Sequence, residues 1–265
     1  MRQLGMELRR LREAVGKTQA QAGDWINLSD TAISKMETGD RKVKVSYVKS
    51  LCQLYDVDAP HAEFLERLAR ESEQRGWWAD YGNTVPSWFK DFLGMETAAA
   101  EVWTYESELV PGLLQTPEYV EARGGTERFV ELRAARQARL VGDAPLILRA
   151  VLNEAVLCRP VGGHDVMRRQ IRYIIEAASL PNVTIQVVPF SIGFHPAMAG
   201  SFTALRFPQV PMNTVYVEMK GGAVYMEKLP DVERFAATFE RLVELALGIE
   251  ETVSLLHDFE RRYPE

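Results

Sequence analysis

Apolar residues recur every three or four positions through the first 70 residues, and the pattern breaks into five short helices. Leu4, Leu8, Leu11 and Val15 share one face, and Gly16 stops that helix. Thr18 and Gln19 open a second helix, with small and apolar residues at Ala22, Trp25 and Ile26. The break Asn27-Leu28-Ser29 follows. A third helix runs from about Asp30, with Ile33 and Met36 inward and Thr31, Ser34 and Lys35 outward, and Gly39 ends it. After a charged loop over 40–44, Val45, Val48, Leu51, Cys52, Leu54 and Tyr55 build a fourth helix. A fifth starts after Pro60, with Phe64, Leu65 and Leu68 inward.

The remainder mixes two periods. Pro117 opens a short helix, and 127–140 reads as another, with Phe129, Leu132 and Leu140 inward. Residues 146–152 form a compact apolar strand, and 166–178 a helix with Met167, Ile171, Ile174 and Ile175 on one face. Val183, Ile185 and Val187 alternate with Thr184 and Gln186, which is strand periodicity. Strands are also predicted over 201–207 and 215–219, and Gly221-Gly222 turns the chain into a further strand over 223–227. Helices close the chain from Pro230 and from Thr252. The expected fold class is α+β: an all-α five-helix head over 1–70, an aromatic-rich linker or seam over 71–100, and an α+β domain over 101–265. Its sheet is expected to be largely antiparallel.

Charge changes the picture only through its distribution. The net charge of -6 argues against a nucleic-acid partner, but residues 1–58 hold ten Lys/Arg against eight Asp/Glu, for +2. The rest holds 21 against 29, for -8. A weakly basic head on an acidic body suits a DNA reader whose larger part faces away from phosphate. No apolar run reaches membrane-spanning length and the N-terminus has no signal-peptide core, so no membrane partner and a cytoplasmic location are expected. Cys52 and Cys158 lack metal spacing and are expected as reduced thiols.

The second and third predicted helices, joined by a tight turn, have the form of a helix-turn-helix. Such a unit reads DNA when its second helix lays polar side chains in the major groove. Thr18-Gln19, Ala22, Ile33-Ser34 and Glu37 with Gly39 resemble the XRE/lambda-repressor-like regulators. Thr104-Tyr105-Glu106, PGLLQTPEY from Pro111, RQARL from Arg136, VLNEAVLCRPVGG from Val151, PNVTIQVVPF from Pro181, HPAMAGSFTALRFP from His195 and VYVEMKGGAVYMEK from Val215 extend the likeness. The whole chain thus resembles actinobacterial regulators that join such a head to a C-terminal domain of unknown function. The resemblance implies transcriptional control, often beside a small partner protein. It also implies that Gln19 bonds a phosphate and steers the recognition helix. It implies further that Glu37 pairs with an arginine of the first helix, for which Arg10 is the natural choice.

The candidate DNA-binding residues are therefore Gln19, Ser29, Asp30, Thr31, Ser34 and Lys35, with Arg41, Lys42 and Lys44 as phosphate contacts. No Arg, Asn or Gln stands on the outer face of the third helix, so the commonest bidentate base contacts are missing there. In the body, Trp77, Trp78, Trp88 and Trp103 fall within 27 positions, beside Tyr81, Phe89 and Phe92. They line a ligand pocket or partner groove, or pack a domain seam. Tyr105, Glu154 and His195 are candidates for the same ligand or partner. Glu106, Glu218 and Glu227 complete the polar set, with the glutamates from 154 on placed on strand-like segments. Their spacing matches no hydrolase or metal motif, so no catalytic residue, metal or cofactor is expected.

These observations favour a sequence-specific regulator that binds double-stranded DNA as a homodimer, its body engaging a small-molecule effector or a small partner protein. An antitoxin-like interaction protein acting with a small cognate partner is the alternative. An enzyme tethered to DNA is the third reading.

Overall fold

The computed structural model describes residues 2–73, 81, 85–207 and 213–263. They form two compact units, one within Met1–Ala98 and the other within Ala99–Phe207 and Asn213–Glu265.

The first unit carries α1 (Arg2–Ala14), α2 (Gln19–Trp25), α3 (Asp30–Glu37), α4 (Val45–Leu54), α5 (Ala59–Glu73) and α6 (Ser87–Ala98). Local chemistry sets the boundaries. Thr18 caps α2 in a reciprocal box with Gln21, and the Ser29 hydroxyl accepts from the Ala32 N–H at the start of α3. Leu8, Ala22, Ile33, Met36, Val48, Leu51, Phe64 and Leu65 close one core between the helices. Two glycines permit its tightest crossings. A Cβ on Gly5 would collide with the Met36 carbonyl oxygen, and one on Gly23 with that of Leu28. The first glycine lets α1 meet the end of α3, and the second lets the chain fold back between α2 and α3.

The second unit is built on β1 (Glu101–Glu106), α7 (Pro117–Ala122), α8 (Glu127–Gln137), β2 (Ile147–Asn153), α9 (Ala155–Cys158), α10 (His164–Ala178) and β3 (Val183–Val188). It continues through β4 (Phe202–Arg206), β5 (Thr214–Met219), β6 (Gly222–Met226), α11 (Leu229–Leu245) and α12 (Ile249–Arg262). The six strands make one sheet in the order β3-β2-β1-β4-β5-β6. This sheet is mixed, which corrects the largely antiparallel expectation. β1 runs parallel to β2 and β2 to β3, while β1/β4, β4/β5 and β5/β6 are antiparallel. Parallel neighbours need a crossover of a dozen residues or more. The helices predicted over 127–140 and 166–178 are those crossovers, and β1, absent from the expectation, is the strand that makes them so.

Trp103, Tyr105, Phe202, Ala204 and Val215 on one face of the sheet pack with Val232, Phe239 and Leu242 of α11. Beyond β3, α12 lies against α10 and seats Thr252 so that its hydroxyl accepts from the Val187 N–H. No helix among the described residues is long and apolar enough to cross a membrane.

Candidate functional site

In the first unit the side chains of α3 divide sharply by face. Ile33 and Met36 are each 1 % exposed, while Asp30, Thr31 and Lys35 stand in solvent and Ser34 is half-buried. Several outward groups are already committed locally. Ser29 serves as the cap, and Asp30 accepts from the Thr31 N–H at 2.6 Å and from its hydroxyl at 3.2 Å. Lys35 projects from the last turn. Arg41, Lys42 and Lys44 are exposed directly after α3, and the Arg41 N–H donates to the Lys35 carbonyl at 2.9 Å, which holds the loop to the helix end. Lys44 also stands over the Tyr47 ring, 5.9 Å from its centre.

The orientation of α3 is fixed by Glu37, its last residue. Arg12 donates to both Glu37 oxygens, at 2.6 and 2.9 Å, and its third nitrogen donates to the Lys17 carbonyl at 2.7 Å. Hydrogen bonding to Glu37 is the largest influence on Arg12 and raises its pKa above the ordinary value. Glu37 therefore pairs with Arg12 and not with Arg10, which instead bonds Glu7. The helical wheel explains the correction: Arg12 lies four residues beyond Leu8 and eight beyond Leu4, on the buried stripe of α1, and Arg10 does not. Gln19 joins the same node, its Nε2 donating to Glu37 at 2.8 Å. An amide nitrogen carries two hydrogens, so the bond that steers α3 uses only one of them. Three helices are thus tied at one buried carboxylate.

In the second unit, Tyr105 at the end of β1, Asn153 at the end of β2 and His195 in the loop before β4 converge. The Tyr105 hydroxyl is 3.4 Å from His195 Nε2, and Asn153 Nδ2 is 3.5 Å from the same atom. Tyr105 and His195 are 1 % and 5 % exposed. Burial raises the Tyr105 pKa and holds the His195 imidazole below its ordinary value. Glu154 stands just beyond, on a helical turn and not on a strand, where it accepts from the Phe190 N–H at 2.7 Å. Asn153 escaped the sequence reading; its signal was a polar residue closing an apolar strand.

On the opposite face of β1, Glu106 is half-buried beside Ser107 and Ser201. Loss of solvation pushes its carboxyl up to about 7, against a bond from Ser201 that pulls it down. Glu218 accepts from the Tyr216 hydroxyl at 3.1 Å. Glu227 follows the end of β6.

Trp77 and Trp78 lie outside the described residues. Trp88 belongs to α6, edge-on to Phe89, in the first unit. Trp103 belongs to β1 and stacks on Phe239 in the second unit, with the Arg206 and Arg149 guanidinium groups 4.0 and 4.5 Å from its ring centre. Trp103 is therefore a core residue of the sheet. Among the described residues no group of His, Cys, Asp and Glu is arranged to hold a metal ion.

The short capped helices, the glycine-dependent turn and the anchored α3 define a helix-turn-helix DNA-binding domain, and residues 3–65 match a family model described as Helix-turn-helix domain. Residues 89–258, more than half of the chain, match Domain of unknown function (DUF5753), and the chain belongs to that family. No curated protein and no solved structure matches it.

Proposed function

We propose that the protein is a sequence-specific transcriptional regulator, that α3 is its reading helix, and that the second unit is a sensor and not an enzyme. The observation that carries the reading role of α3 is the Glu37 node. A buried carboxylate held by α1 and α2 fixes the roll of α3, so that Thr31, Ser34 and Lys35 face outward together. Rigid presentation of a polar row from a capped helix is what major-groove reading needs. Arg41, Lys42 and Lys44 supply phosphate contacts that set register without reading sequence. One helix of this length reads few base pairs, so two heads act together on half-sites about 34–36 Å apart, as a homodimer.

The test is a titration of the full chain on DNA from upstream of its own gene and on scrambled DNA. Replacing Thr31 and Lys35 with alanine together is expected to weaken specific binding by about 1–3 kcal/mol for each base-edge hydrogen bond removed, with little change on scrambled DNA. Equal affinity of the double variant and the native chain for the specific fragment would remove α3 from the reading role.

A further inference from the structure

We infer that the carboxyl ends of β1 and β2 form the sensor site, and that it takes an uncharged small molecule offering a carbonyl-type acceptor oxygen on an apolar body. This rests on the sensor reading above and names its ligand.

The placement of hydrogens decides what the site can bind. Asn153 Oδ1 accepts from the Ala155 N–H at 3.0 Å, which turns Nδ2 toward His195. An amide NH2 only donates, so His195 Nε2 must be the accepting, unprotonated nitrogen. The Tyr105 hydroxyl, 3.4 Å from the same Nε2, then serves as a second donor to it. An imidazole whose Nε2 accepts is neutral, the form that burial favours, so its one proton sits on Nδ1. Nδ1 is buried and meets no hydrogen-bond partner among the described residues. A buried N–H without an acceptor costs free energy that a ligand oxygen would recover.

The surroundings select the rest of the ligand. The loop carrying His195, residues 190–200, exposes Phe190 at 57 %, Phe194 at 82 % and Met198 at 64 %, with Ile192 at 36 %. Such apolar exposure on one short loop is the surface an apolar body would cover. Glu108, itself paired with Arg159, acts on Tyr105 electrostatically, and Glu154 stands at the loop base. These two carboxylates disfavour a carboxylate ligand, and the unmet N–H cannot bond an ammonium. The site also lies outside the carboxyl ends of parallel strands, where open sheets with helical crossovers bind ligands.

The probe is octanamide, with octylammonium as a donor-only control of equal chain length. In the full chain carrying 15N-labelled histidine, one of the four histidines is expected to show a neutral ring protonated at Nδ1. That proton should shift saturably with octanamide and not with octylammonium. The signal is assigned by its loss in His195→Gln or, should that variant not fold, by its proximity to the Tyr105 ring, 5.6 Å away. His195→Gln is expected to weaken octanamide binding about tenfold. A ring protonated at Nε2, equal responses to both probes, or no saturable shift up to the solubility of the amide overturns the site. Affinity for upstream DNA separates the two readings. An amide that binds through His195 without changing DNA affinity leaves the site standing and removes the sensing role. A change in DNA affinity that persists in His195→Gln does the reverse.

Discussion

Arg12 and Glu37 are 7 % and 4 % exposed, so neither can be removed without leaving the other charged and dry. Arg12→Ala is therefore expected to destabilise the head by about 3–5 kcal/mol. Arg9→Ala, which breaks an exposed pair with Glu13 one turn apart, should cost about 0.3–0.5 kcal/mol. Chemical denaturation of the full chain, followed through the head, compares them; equal losses would deny the node its role. Glu106 provides a pH test with a definite sign. Its folded value, about 7, lies above the ordinary 4.5, so its contribution is fully present below about pH 4.5 and is lost as pH rises through 7. Glu106→Gln keeps the neutral form at every pH. It should raise the melting temperature at pH 8 and leave it nearly unchanged near pH 4.5, and a variant no more stable at pH 8 would contradict the assignment. Legibility differs sharply between residues. The Leu4–Leu8 stripe points to Arg12 where Arg10 was expected, whereas the meeting of Tyr105, Asn153 and His195 spans up to 90 positions and needs the topology first.

Among the elements, the first three helices of the head were readable because each carries both a stripe and a stop. β1 was not, and the reason is its position. As a central strand it is buried on both faces from Val102 to Tyr105, so the alternation that marked β3 is erased. Trp103 then reads as part of a tryptophan cluster, and the parallel half of the sheet goes unseen. The α1–α3 crossing gives the element-scale prediction. Gly5→Ala would drive a Cβ against the Met36 carbonyl, and backbone cannot move aside as a side chain can. A loss of about 1–3 kcal/mol is expected, with weaker DNA binding because α3 shifts. A variant of native stability and affinity would show the crossing to be looser than described. The loop after α3 has its own signature. Neutralising Arg41 and Lys42 should weaken binding to all DNA and reduce the salt slope by about 0.9 for each phosphate no longer neutralised. A loss confined to the specific fragment would assign these residues to base reading instead.

At the scale of the whole molecule, the charge of +2 over residues 1–58 and -8 over the remainder confines favourable phosphate contact to the head. An acidic body also discourages indiscriminate binding, so affinity must come from the few basic groups beside α3 and from shape in the groove. Regulation of a defined set of sites requires that this affinity discriminate between sequences. The most direct measurement is selection of bound fragments from a random duplex pool by the full chain, followed by titration of the enriched and scrambled duplexes at fixed salt. An enriched inverted repeat is expected, with half-sites one helical turn apart, bound at least about 10³-fold more tightly than scrambled DNA. A pool that enriches nothing, or equal affinity for both duplexes, would contradict sequence-specific reading by α3.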